Sequence, residues 1–383
     1  MVRFSPTSFL GALWTAFATV SIAHSKVFHI PSALQNGTSV AQFTASSSGL
    51  DGLMVEPING SAFDWWYFDV VSTDPSMLAS VVVTFFASSQ PAFPLLDPAD
   101  TITVARIWVS YPNGTLWEAT ANGEQGATVT TDGDSSCGDW HGTGFSWTSN
   151  PYTREYVINI DAPAAGVKGT ITFPSPAPAH YPCGPVSAGQ NLEVGPHIGW
   201  ANAVPDSSAV VNLEINGAGL AFTGTGYHDK NWSDQPFTKN VASWYWGHGR
   251  VGPYSIVWFD FLDRTGTEFV SAYASENGRI LAASCAPGSI SVRPTGVNAT
   301  YPPVISSPVP TGYTITLPLE NGEGTLAVQV NVLSHLISPN PEYARLIGNL
   351  SAELVQPPAV KGGKGKTATL TGMALFEQFK LTA

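Results

Sequence analysis

An all-β architecture is what this sequence predicts, and three observations carry it. Short runs rich in Val, Ile, Thr and aromatic residues recur along the chain, among them SVVVTFFA, ARIWVSY, YVINIDA, SIVWFDFLD and LAVQVNVL. The 37 glycines and 30 prolines are spread between those runs rather than gathered in one tract. Helical periodicity is nearly absent, with PNPEYARLIGNLS (339–351) the one decent short helix candidate. Many short strands must close or stack to hide their edges, so a sandwich or barrel follows.

Taken in order, the chain opens with Arg3 and the apolar run FLGALWTAFATVSIA, followed by the small-x-small triplet Ala23-His24-Ser25. That pattern reads as a secretory signal peptide over residues 1–25. No later stretch is long and apolar enough to span a bilayer as a helix, so the expected mature protein is soluble and secreted or vesicular. Sequons at Asn36, Asn59, Asn113, Asn231, Asn298 and Asn349 fit that route. Asn36, Asn113, Asn298 and Asn349 are the candidate glycan acceptors, whereas Asn231 sits inside a dense polar motif. Three cysteines suit one disulfide and one free thiol, and Cys137 with Cys183 is the expected pair because both flank one segment.

Hydrophobic residues make up 43% of the 383 and charged residues 11%, enough for a large core and too apolar for a disordered chain. A net charge of -12 argues against nucleic acid, which needs a basic footprint, and against an anionic membrane surface. The breaker-rich PSPAPAHYPCGP (174–185) reads as an exposed loop, and VKGGKGK (360–366) as a basic hairpin turn. A break at SDQPFTKN (233–240) divides the chain into an N-terminal domain, 26–235, and a C-terminal domain, 236–383.

Three clusters carry possible chemistry. In FDWWYFDVVS (63–72), strand geometry puts Asp64, Trp66 and Phe68 on one face and Trp65, Tyr67 and Asp69 on the other. Both faces are aromatic with a carboxylate, which suits either a strand buried on both sides or the wall of an apolar pocket. GYHDKNW (226–232) gathers His228, Asp229 and Trp232; His228 and Asp229 can serve one site only if the segment bends. In SWYWGHG (243–249), Trp244 and Trp246 share a face with Tyr245 opposite, and His248 follows. Asp229, His228 and Tyr67 are the catalytic candidates. Trp65, Trp66, Phe68, Trp232, Trp244, Trp246 and His248 are the substrate-binding candidates. No dinucleotide or phosphate loop, no G-x-S-x-G elbow and no H-E-x-x-H occurs, so neither a cofactor nor a metal is expected.

The order of FDWWYFDVVS and GYHDKNW resembles the carotenoid 1,2-hydratase (hydroxyneurosporene synthase) superfamily, whose fungal branch looks like the Diels–Alderases of secondary metabolism. The resemblance implies two lipocalin-like β domains, a β-sandwich packed on a β-barrel, with an apolar pocket near their junction. In the hydratases a carboxylate of the second motif is associated with protonating a double bond, and Asp229 matches that position. The implied activity is a cofactor-independent [4+2] cycloaddition, carbon–carbon or hetero, on an apolar polyketide or terpene-type intermediate. Alternatives are a hydratase or isomerase using Asp229 as general acid, a non-catalytic carrier of hydrophobic ligands, and a carbohydrate-binding or glycosidic module.

Overall fold

The computed structural model describes residues 25–46, 49–150, 152–175, 177–337, 340–356 and 369–382. Residues 1–24 of the expected signal peptide and the stretch 360–366, expected as a basic hairpin turn, lie outside the described residues.

Two antiparallel sheets hold nearly every strand. The main path of the first runs, in spatial order, Lys26–Ile30, Ala127–Asp132, Ser135–Trp140, Phe145–Asn150, Glu155–Ala162, Val167–Pro174, Ile198–Ile215, Ala218–Ser233, Phe63–Ser72, Ser80–Ser88, Thr103–Ser110 and Leu116–Asn122. It curls over on itself. Trp140 Nε1 donates to the carbonyl of Phe86 at 3.0 Å, although their strands stand far apart in that order. Strands near the middle are buried on both faces, as in Phe63–Ser72 and Ser80–Ser88, while the edge strand Leu116–Asn122 is at most half-buried. The concave side holds Trp66, Phe68, Trp140, Trp147 and Phe173, an indole-rich core in which each ring removes a large apolar area from water.

The second sheet runs Arg279–Ser284, Glu268–Glu276, Tyr254–Asp263, Val241–Val251, Leu370–Lys380, Tyr343–Val355, Thr325–His335, Gly312–Pro318 and Ser291–Thr295. Arg293 on its last strand reaches Asp260 at 2.9 Å, drawing the sheet round into a barrel. The barrel interior is filled by Tyr245, Trp258, Tyr313, Leu346 and Phe376. The architecture is therefore all-β, two curled lipocalin-like sheets, with the one-turn helix Phe237–Asn240 between Ser233 and Val241.

Residues 343–355 form a strand, not the expected helix. Their backbone pairs with Thr325–His335 on one side and Leu370–Lys380 on the other, and two ladders outweigh one short turn of local helical preference.

The sheets meet face to face through a third core containing Trp65, Tyr67, Trp200 and Tyr227 from the first and Trp244, Trp246, Phe259 and Phe379 from the second. Polar links cross the same boundary. His248 Nε2 bonds the Asp69 carboxylate at 2.8 Å, and Arg250 forks onto both oxygens of Asp206 at 2.8 Å. The proline-rich stretch 174–185 is not an exposed loop. Tyr273 and Ser271 donate to the carbonyls of Pro178 and Pro182, and His180 and Tyr181 are buried.

The expected Cys137–Cys183 disulfide is replaced by Cys183–Cys285. Cys183 rides on the segment pinned to the second sheet, whereas Cys137 is a free, half-buried residue in strand Ser135–Trp140 of the first. Of the sequon asparagines, Asn36, Asn113, Asn298 and Asn349 are exposed and Asn231 is buried. Non-reducing peptide mapping is expected to recover a Cys183–Cys285 cross-linked peptide with Cys137 alkylated; a cross-linked peptide containing Cys137 contradicts the fold.

Candidate active site

The antiparallel register builds the site. Directly opposed residues share a face of the sheet and successive residues alternate. Asp229 pairs with Tyr67, Tyr67 with Thr84 and Thr84 with Arg106, so four strands present one lateral polar rung. The rung on one side, Asn231–Trp65–Phe86, is largely aromatic; the rung on the other begins Tyr227–Asp69 and ends Trp108–Glu118. Opposite stands the outer face of the second sheet, where Phe259, Trp246, Glu377 and Arg345 are successive cross-strand neighbours. A neighbouring row places Trp244, Phe379 and Tyr343 side by side. Between the two faces lies a cavity of about 210 Å³ lined by the first two rungs, by Trp108 and Glu118, by both rows of the second sheet, and by Phe93, Leu95 and Leu96 from the 89–102 loop.

Asp229 is one of three carboxyl side chains lining the cavity, with Glu118 and Glu377. Trp200 Nε1 and the Tyr227 hydroxyl both donate to its Oδ2, at 2.7 and 2.8 Å, which leaves Oδ1 to the cavity. Burial pushes its carboxyl up to about 7, with the Trp200 and Tyr227 hydrogen bonds pulling the other way. The group therefore titrates where a general acid is useful. Tyr67, its rung neighbour, lies with its ring 5.3 Å from that of Trp246, edge to face. Burial raises the Tyr67 phenol well above the ordinary tyrosine value, so it remains a donor. Arg345 binds Glu377 through Nε at 2.8 Å, and the Tyr343 hydroxyl donates to the same Glu377 oxygen at 2.6 Å. The Arg345 guanidinium also lies 4.6 Å from the Trp108 ring.

Of the residues singled out in the sequence, Asp229, Tyr67, Trp65, Trp244 and Trp246 line this cavity. His228, Trp66, Phe68 and Trp232 do not, because the strands run regularly past one another and send alternate side chains into the first-sheet core. His228 stacks on Phe68 at 3.7 Å, and its Nδ1 donates to the Tyr67 carbonyl while Nε2 meets Asp51 at 2.9 Å. Trp66 packs on Trp140 and Trp147, and Trp232 donates to the Gln42 carbonyl. Lys230 occupies that side too, paired with Asp64 at 2.6 Å and lying 4.2 Å from the Trp66 ring centre. His248 faces the sheet junction but is held by Asp69 and stacked on Tyr227 at 4.4 Å, behind the cavity wall.

Arg345, Glu377, Tyr343 and Arg106 escaped the sequence reading. The first three sit two residues apart, or opposite one another, on strands whose alternation is interrupted by apolar runs. Among the described residues no three His, Cys, Asp or Glu side chains are grouped as metal ligands.

Two outcomes follow from this geometry. The raised Asp229 value means the folded chain holds a proton that the unfolded chain, at 3.8, has lost. Stability from this group is full below about pH 4, falls as pH rises, and levels off above about 7. Asp229→Asn is expected to flatten that part of a melting-temperature profile and to raise stability at pH 8, by at most about 4 kcal/mol. Asp64, raised to about 6, and Asp260, raised to about 7, keep part of the slope. Trp66→Ala is expected to cost about 3–5 kcal/mol in denaturant unfolding by emptying the first-sheet core. Ligand affinity of the folded fraction should stay as it was, whereas a pocket wall would lose it.

The sequence model of a family described as Diels-Alderase-like matches residues 30–290. Among curated proteins, the chain is 34% identical over 360 residues to the quinolone epoxide rearrangement protein penF of Penicillium thymicola, covering 93% of this chain and 96% of that one. It is 36% identical over 323 residues to the quinolone epoxide rearrangement protein asqO of Emericella nidulans, covering 83% and 87%. The Diels-Alderase ucsH of an Acremonium species is 24% identical over 64% of this chain and 61% of its own length. The crystal structure of CghA with Sch210972 superposes with a TM-score of 0.70 at 16% identity, over 94% of this chain and 99% of the other, and shows the shared fold. On a match spanning more than half its length, and on relatives above 30% identity across most of both chains, this protein belongs to the Diels-Alderase-like family.

Proposed function

We propose that this protein is a cofactor-independent isomerase that rearranges an epoxide on an aromatic, quinolone-like substrate, with Asp229 as the acid. One observation carries the reading: a buried carboxyl, with two donors on one oxygen, turns its other oxygen into a cavity walled by aromatic rings. The names of the relatives at 34% and 36% identity supply the reaction class.

The steps balance without an outside reagent. Asp229 gives its proton to the epoxide oxygen, one C–O bond breaks, and its electron pair stays with that oxygen. The carbon left electron-poor is stabilised by the faces of nearby rings such as Trp65, Tyr67 and Trp246, which attract positive charge. A neighbouring substituent then migrates with its bonding pair. The new hydroxyl returns its proton to the carboxylate as it becomes a carbonyl. Trp200 and Tyr227 hold the carboxylate in place between the two transfers.

A second reading, a [4+2] pericyclase, is favoured by the cavity's aromatic walls and by family members named Diels-Alderases at 24% to 25% identity. Such a reaction draws on orientation more than on proton transfer.

The acid separates the two. With a quinolone epoxide, Asp229→Asn is expected to lower kcat about 10²–10⁴-fold with substrate binding retained. For wild type, kcat/KM should be flat at low pH and fall tenfold per unit above about 7. A loss of less than about threefold, with no such break in the profile, overturns acid catalysis and leaves the pericyclase reading.

A further inference from the structure

Five residues around the cavity carry a buried polar atom with no partner among the described residues: Tyr67 OH, Thr84 Oγ1, Arg106 Nε, Trp244 Nε1 and Arg345 Nη1. Every one is a donor or a hydroxyl. Among the described residues, the side-chain acceptors left unpaired, Asp51 Oδ1, Asn202 Oδ1, Gln378 Oε1 and the ring nitrogens His180 Nε2 and His248 Nδ1, belong to residues that do not line the cavity. An unpaired buried donor carries a desolvation penalty of about 1–3 kcal/mol, which a matching ligand atom removes. The cavity is thus complementary to a ligand that brings acceptors.

Charge narrows the class. Arg345 is matched by Glu377, and Arg106 faces Asp97 at 3.2 Å and Glu118 at 3.1 Å. With both guanidinium groups already offset, the surplus is in hydrogen-bond donors, not in positive charge. That favours a neutral carbonyl over a carboxylate.

One of these donors is a neighbour of the acid, and a second lies beside that neighbour. Tyr67 is the direct cross-strand partner of Asp229, and the Arg345 guanidinium lies 5.5 Å from the Tyr67 ring. We propose that Tyr67 and Arg345 form a carbonyl-binding subsite, in which the Tyr67 hydroxyl and Arg345 Nη1 donate to the neutral lactam oxygen of the substrate. The inference rests on the proposed function for the cavity being the substrate site. Opposed side chains on adjacent strands stand about 5 Å apart, a spacing that suits a ring carrying its carbonyl and its reacting C–O bond on neighbouring atoms. Anchored there, the ring presents one C–O bond to Asp229 and sets which substrates react.

The test uses two unreactive probes, 2-quinolone and quinoline, titrated calorimetrically into the wild-type chain, Tyr67→Phe and Arg345→Lys, with quinoline-2-carboxylate titrated into wild type as the charged control. Tyr67→Phe removes an atom that the protein leaves unpaired, so its Tm should equal or exceed that of wild type. Its affinity for 2-quinolone should nevertheless fall about fivefold, the worth of one hydrogen bond. Arg345→Lys keeps the charge beside Glu377, loses the planar second nitrogen, and should weaken 2-quinolone similarly. Quinoline, which has no carbonyl, should bind all three alike. The proposal is overturned if 2-quinolone fails to bind wild type, if Tyr67→Phe binds it as well as wild type does, or if quinoline-2-carboxylate binds more tightly. It is also overturned if Tyr67→Phe melts lower and loses both probes equally. Because the probes carry no epoxide, this outcome is independent of turnover. An active Asp229→Asn would overturn the reaction and leave the subsite standing.

Discussion

The pairing of Phe63–Ser72 with Ala218–Ser233 decides which side chains meet. Their register sets Trp65 opposite Asn231, Tyr67 opposite Asp229 and Asp69 opposite Tyr227, and turns all six towards the second sheet. The intervening pairs, Trp66 with Lys230 and Phe68 with His228, turn the other way. A slip of one residue in one strand would exchange the faces, putting His228 or Lys230 in the cavity and Asp229 in the core of the first sheet. The register is specified from both sides, because each face is buried against a different aromatic cluster and neither tolerates the other's charges.

Those charges sort by environment. Behind the wall, Lys230 and Asp64 neutralise one another against two indoles, and His228 is fixed between a carbonyl and Asp51. Such buried pairs add little net stability but are costly to break, so they specify packing more than they strengthen it. At the junction, Asp69 is bound by His248 and Asp206 by Arg250. Asp229 differs from all of these. It has neutral donors and no cation bonded to it, and burial outweighs both those hydrogen bonds and the lesser pull of the His228 charge, so its proton is held to about 7. The arrangement that makes it expensive to ionise is the one that makes it useful as an acid.

Much of this was legible in the chain. Alternation alone assigned the two faces of FDWWYFDVVS, separated Trp244 and Trp246 from Tyr245, and warned that His228 and Asp229 point apart unless the strand bends. It does not bend there, so the histidine leaves the site. What alternation cannot say is which buried face meets a cavity and which meets core, and Trp66, Phe68 and Trp232 were misplaced for that reason. Arg345 and Tyr343 were hidden differently. YARLIGNLS has apolar spacing compatible with one helical turn, and only its pairing with strands distant in sequence makes it a strand facing the site. Glu377 gave no local signal either, since its meaning comes from standing beside Arg345 and Trp246. The disulfide fell to the same limit. Proximity along the chain favoured Cys137, whereas the fold carries Cys183 onto the second sheet, 102 residues from its partner.

Acid chemistry in this cavity requires Asp229 to be a neutral carboxylic acid near pH 7. An infrared difference titration tests this directly, with the carbonyl stretch of a protonated carboxyl assigned by subtracting the spectrum of Asp229→Asn. The predicted result is a band present at pH 5 that disappears with a midpoint near 7. A midpoint near the ordinary carboxylate value of 3.8 would mean that Asp229 is ionised where the enzyme works, and would contradict the claim that it is the acid.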